Sequence, residues 1–116
     1  MNDLDELKQR LRDFAAARDW EQFHSPKNLA MALIVEAAEL VEHFQWLTVE
    51  QSAHLPSKNL AAVEEEIADV FLYLIRIADR LGVDLVQAAW RKIKINEEKY
   101  PADKVRSSAK KYTDYP

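Results

Sequence analysis

Glycine occurs once in the 116 residues, at Gly82. Hairpins and other tight reversals draw on glycine for backbone conformations that other residues resist, so a sheet with many reversals has almost no material here. Alanine, leucine, glutamate and lysine are plentiful instead, and these lose little side-chain freedom in a helix. The expected class is all-α: a four-helix bundle with few connections. A chain this short forms one domain, 1–116, and buries only about two-thirds of its unfolded surface, so a second copy would add to its stability.

Apolar periodicity and capping residues divide the chain. Leu4, Leu7, Leu11 and Phe14 recur at three- and four-residue steps and predict an amphipathic helix over about 3 to 19. Ser25-Pro26 offers a cap followed by proline at the first helical position, where its missing N–H goes unused; the second helix runs from Pro26 to about Phe44. Thr48-Val49-Glu50-Gln51 reads as a capping box for a short turn before Pro56. Ser57 offers the cap of a long third helix that Gly82 closes in the left-handed conformation. Asp84-Leu85-Val86-Gln87 starts a fourth helix, ended by Tyr100-Pro101, with a polar tail over 101–116. No repeat or low-complexity tract interrupts this plan.

The chemistry-bearing feature is carboxylate in apolar surroundings. From Ala30 to Val41 the only polar side chains are Glu36 and Glu39, three apart and therefore on one helix face. Apolar residues cover the other sides, so this helix is expected to be buried nearly all round. The third helix repeats the arrangement with Glu66 and Asp69, the latter alone in an apolar run. Burying unpaired carboxylates costs several kcal/mol, and clustering them costs more unless a cation or protons compensate. Facing one another, these four acids call for a hard ion with oxygen ligands, Mg²⁺ or Mn²⁺, and that pairing points to phosphate chemistry. The alternative is that the acids are solvated or paired with basic residues such as Arg76 or Lys92.

ExxE on one helix and ExxD on the next resembles the MazG-like branch of the all-α nucleoside triphosphate pyrophosphohydrolases. Longer strings are similar to its dCTP pyrophosphatase subgroup: Arg18-Asp-Trp20-Glu-Gln-Phe-His24, Glu39-Leu40 through Phe44-Gln-Trp46, Ile95-Asn96 with Lys99-Tyr100-Pro101, Arg106-Ser-Ser, and Lys111-Tyr112-Thr113. The resemblance covers nearly the whole chain. It implies hydrolysis between the α- and β-phosphates to nucleoside monophosphate and pyrophosphate, with dCTP or 5-substituted dCTP as substrate. It also implies Glu36, Glu39, Glu66 and Asp69 as metal ligands, with Glu36 or Glu39 taking the proton of the attacking water. Trp20, His24, Trp46 and Tyr73 would bind the nucleotide, and Lys92 and Asn96, four apart on the fourth helix, would contact its phosphate side. Trp20 and Trp46 have a competing role as core packing at helix ends. Leu11 stands where the dCTP-specific relatives carry histidine, a departure that bears on base preference more than on the reaction.

Other chemistry finds little support. Without cysteine there is no disulfide framework, zinc-thiolate site or thiol nucleophile, and a single glycine excludes a P-loop or dinucleotide fingerprint. His24, His43 and His54 are scattered. Glu21-Gln-Phe-His24 spells ExxH, but Ser25-Pro26 follows at once, whereas di-iron bundles place two such segments within helices. A net charge of −4 disfavours nonspecific nucleic-acid binding, although Lys104, Arg106, Lys110 and Lys111 make the end of the chain locally basic. An acidic polar start and the lack of a long apolar run set the expectation of a soluble cytoplasmic protein, not a membrane partner. The rival function is a non-catalytic helical oligomerisation module. Apolar surface on the second and third helices predicts a homodimer or homotetramer in either case, with sites near subunit contacts where Arg106 or Lys111 would reach a neighbour's phosphate.

Overall fold

The computed structural model describes residues 2–109 and Thr113; Lys110, Lys111 and Tyr112 lie outside the described residues. Its helices are α1 (Asp3–Ala17), α2 (Pro26–Glu42), α3 (Val49–Ala53), α4 (Ser57–Leu81), α5 (Leu85–Lys99) and α6 (Ala102–Val105), with a 3-10 turn at Glu21–Phe23. No strand occurs among the described residues. Among the described residues no helix is long and apolar enough to cross a membrane.

Local chemistry sets most of the boundaries. The Ser25 hydroxyl accepts the Asn28 N–H at 3.1 Å with Pro26 behind it, a cap worth about 1 kcal/mol. Thr48 and Gln51 exchange both bonds of a capping box. Asp84 accepts from the Gln87 N–H at 3.0 Å, and Gly82 closes α4 at φ 69°. Four details differ from the sequence reading. Ser57 is the first residue of α4 and Pro56 precedes it without a side-chain cap; proline's fixed φ sets up the turn in place of a hydroxyl. Within the polar segment after Pro101, Ala102–Val105 forms a short helix, and α2 stops at Glu42, with His43 as its C-cap. Finally, α1 ends at Ala17, because Asp19 takes the left-handed conformation (φ 53°). The Trp20 N–H then reaches back to the Ala15 carbonyl at 2.9 Å and the Asp19 N–H to Ala16 at 3.2 Å, a Schellman closure with aspartate in the usual glycine position.

Two compact units result, one running to Gly82 and the other starting at Val83. In the first, α2 packs along α4 and α1 lies against α4. The core is narrow: Ala15, Leu29, Val63, Ile75 and Ala78 are its buried apolar residues, with Leu29 and Ile75 fully enclosed. Arg12 on α1 grips Asp79 on α4 with both arms of its guanidinium, Nε donating at 2.6 Å. That contact joins residues 67 apart in sequence. In the second unit, α5 is amphipathic but carries Trp90 and Ile93 exposed, and α6 follows Pro101 directly.

The expectation that α2 is buried nearly all round is corrected. Leu29 is enclosed, yet Ile34 is 66% exposed and Met31, Val35 and Val41 are also open. One narrow core cannot receive both faces of an apolar helix, so the second face of α2 is left open by the described residues up to Gly82.

Candidate metal centre

Leu29, Leu33, Glu36 and Leu40 follow each other at steps of four, three and four along α2, so Glu36 shares the side of the helix that carries the enclosed Leu29. Glu39 lies one turn on, at the margin of that side. On α4, Glu66, Asp69 and Tyr73 are spaced by three and four and share a side in the same way. Packing of α2 along α4 therefore brings acids from separate helices together. One carboxylate oxygen from each of Glu36, Glu39 and Glu66 lies within 4.8 Å of the others. Asp69, exposed beside them, stands outside that tight group but acts on Glu36, Glu66 and Tyr73 through its charge.

The electrostatics are those of a cluster short of positive charge. Glu36 Oε2 and Glu66 Oε2 are buried and meet no hydrogen-bond donor. Among the described residues up to Gly82, no lysine, arginine or histidine pairs with any of the four acids; Arg76 pairs with Asp79 instead. The salt-bridged alternative is thus not what this unit adopts through Arg76. Burial first, then the neighbouring Glu39, Glu66 and Asp69, push the Glu36 carboxyl up to about 7. Burial and Glu39 raise Glu66 as well. Tyr73 is half-buried, and burial with the charges of Glu36 and Asp69 raises its hydroxyl. Three converging carboxylates, two of them with a buried oxygen that meets no donor, fit a hard divalent ion.

A pH dependence follows. Glu36 holds its proton more tightly folded than unfolded, so the native state binds more protons between the ordinary value of 4.5 and about 7. Stability of the metal-free protein should fall as pH rises through that window. Thermal unfolding in a chelator at pH 5 and pH 7.5 measures this, and added Mg²⁺ should raise the midpoint more at the higher pH, where protons no longer compete. An equal midpoint at both values would contradict the clustering.

The other predicted residues lie outside this group of acids. Trp20 is held by the α1 closure, with the Phe14 ring 5.7 Å away and the His24 ring 6.4 Å away, both edge-on. Trp46 is 87% exposed, which removes its alternative role as core packing. Lys92 and Asn96 are exposed on α5 at helical spacing. Glu21–Phe23 being a 3-10 turn, the ExxH string is not on an α-helix. Sequence reasoning missed the network in which exposed Arg12 grips Asp79 and buried Arg76 reaches His24; no periodicity marks contacts so distant along the chain.

The profile described as the MazG-like family matches residues 31–115, and the chain belongs to that family. Within it, the relatives narrow the type. dCTP pyrophosphatase 1 of Mus musculus is 45% identical over 115 residues, spanning 97% of this chain and 68% of the relative. The Homo sapiens protein of that name is 44% identical over the same shares. A solved pyrophosphatase structure from Archaeoglobus fulgidus superposes with a TM-score of 0.82 at 39% identity, covering 87% of this chain and 94% of that one. The chain is a dCTP diphosphatase-like enzyme of the nucleoside triphosphate pyrophosphohydrolase class.

Proposed function

We propose that this chain hydrolyses dCTP or 5-substituted dCTP between the α- and β-phosphates, giving nucleoside monophosphate and pyrophosphate, with Glu36, Glu39, Glu66 and Asp69 holding Mg²⁺ or Mn²⁺. The observation that carries this reading is the convergence of Glu36, Glu39 and Glu66 within 4.8 Å with buried oxygens unpartnered. When bound, a divalent ion supplies charge neutralisation for the phosphates and a more acidic water. Glu36 or Glu39, carboxylates beside the ion, takes the proton of the attacking water while the other acids anchor the metal. Trp20, Trp46 and Tyr73 contact the nucleotide, His24 adds a polar group, and Lys92 and Asn96 on α5 serve its phosphates. The relatives carrying the dCTP pyrophosphatase name support the choice of base.

The family match over 31–115 crosses both compact units, which supports reading 1–116 as one functional domain. The apolar residues left open on α2 and α4 support a homo-oligomer, dimer or tetramer, built from second copies of this chain. Cleansing of the cytoplasmic nucleotide pool is the role that fits such an activity.

A panel of nucleoside triphosphates, assayed with and without Mg²⁺ and scored for pyrophosphate against orthophosphate, tests the proposal. We expect Mg²⁺-dependent pyrophosphate release, fastest with dCTP and its 5-substituted forms. Orthophosphate as the product would redirect the reading to a different phosphohydrolase. No turnover together with tight binding to another protein would favour the interaction module.

A further inference from the structure

Arg76 is the buried charged residue of the described chain, only 5% exposed. Its Nε donates to His24 Nδ1 at 3.3 Å, and its Nη1 stands 3.7 Å from Asp79 Oδ2. Asp79 is itself 8% exposed in its side chain and gripped by Arg12, so the partner that orients Arg76 is fixed between two helices. Arg80 holds the other side of His24, its Nε donating to the His24 carbonyl at 3.1 Å.

Arginine does not give up its proton in a protein, so Nε is always a donor and Nδ1 facing it must keep its lone pair. The neutral ring's one proton then belongs on Nε2. Among the described residues Nε2–H meets no acceptor, while the ring stacks edge-on against Trp20. The charged groups around the ring agree with this state. Burial, then Arg76 and Arg80 from α4, lower its proton affinity; Glu21 from the 3-10 turn opposes them more weakly.

We propose that Arg76 is a positioning residue that holds His24 as the neutral Nε2–H tautomer, so that His24 meets the nucleotide only as a hydrogen-bond donor to an oxygen. This rests on the nucleotide-hydrolase reading above. The accepting oxygen is either the pyrimidine carbonyl or a phosphate oxygen, the two acceptors that a neutral N–H beside an aromatic base platform can serve.

The test uses the full chain as wild type, Arg76→Met and Arg76→Lys. Long-range ¹H–¹⁵N spectra of the histidine rings should show His24 of the wild type as the Nε2–H form, staying neutral below the ordinary histidine range. In Arg76→Met the ring should become a mixture of tautomers. KM for dCTP should rise about tenfold, as for the loss of one hydrogen bond, with kcat nearly unchanged. Arg76→Lys, which keeps a donor and the charge, should recover much of both readouts. If inhibition by inorganic triphosphate weakens by the same factor, the acceptor is phosphate; if inhibition by deoxycytidine weakens, it is the base. A wild-type ring carrying its proton on Nδ1 overturns the proposal even if Arg76→Met does not fold. So does an Arg76→Met enzyme with unchanged tautomer or unchanged KM. A wild-type chain that turns over no triphosphate defeats the functional reading instead, while the spectra still decide the role of Arg76.

Discussion

Glu39→Gln should lower turnover about a thousandfold and leave the helix content intact. The ion is expected to contribute several kcal/mol of charge stabilisation, and each tenfold in rate corresponds to about 1.36 kcal/mol, so losing a ligand that positions it is a loss of this order. Glutamine keeps the shape of glutamate but removes its charge. Because Glu39 is among the groups that raise both Glu36 and Glu66, the metal-free variant should unfold at a higher temperature than the wild type. The Mg²⁺-induced rise in the midpoint should shrink sharply at the same time. Asp69→Asn should show a comparable loss of turnover with a smaller gain in metal-free stability, because Asp69 is exposed and stands outside the tight group. Pyrophosphate release, circular dichroism and thermal melts with and without Mg²⁺ provide the readouts. Turnover of Glu39→Gln within fivefold of wild type would remove this residue from the metal centre.

That opposition between stability and function explains why the acids are legible in the sequence. A carboxylate flanked by apolar neighbours works against folding unless something compensates, so Glu36, Glu39 and Asp69 stand out in the sequence as an anomaly, and Glu66 follows from its spacing to Asp69. Helix starts were legible for a different reason: Ser25-Pro26, Thr48 with Gln51, and Asp84 with Gln87 each satisfy backbone groups within a few residues, and local chemistry is readable locally. The end of α1 was not, because aspartate at position 19 does what glycine usually does, and only its φ of 53° reveals it. Nor was the tie from Arg12 through Asp79 and Arg76 to His24. It joins positions 52 and 67 residues apart, and charged residues on a helix otherwise read as a solvated face. The degree of burial of α2 was misjudged because an apolar sequence shows that a surface seeks cover without showing which chain supplies it.

What covers it is open to direct measurement, and Ile34→Glu should convert an assembled wild type into monomer. Ile34 is 66% exposed on α2, with Met31, Val35 and Val41 around it on the same side at helical spacing. On α4, Leu60, Ile67, Phe71 and Leu74 form a second open stripe at steps of seven, four and three. Contiguous apolar surface of this kind is uncommon on monomeric proteins. In a two-fold dimer each residue is buried twice, and about two-thirds of the roughly 1.5 to 3 kcal/mol for full burial remains to be gained at Ile34, so this isoleucine contributes about 2 to 4 kcal/mol. Losing that contribution and burying a charge in its place should weaken the dissociation constant at least a hundredfold. Sedimentation or light scattering at micromolar concentration reads the mass directly. The metal centre faces the other side of α2, through Glu36, so the monomer should still gain thermal stability from Mg²⁺ even where its turnover falls. A wild type that is already monomeric, or an Ile34→Glu chain of unchanged mass, would show that a second copy does not cover this face.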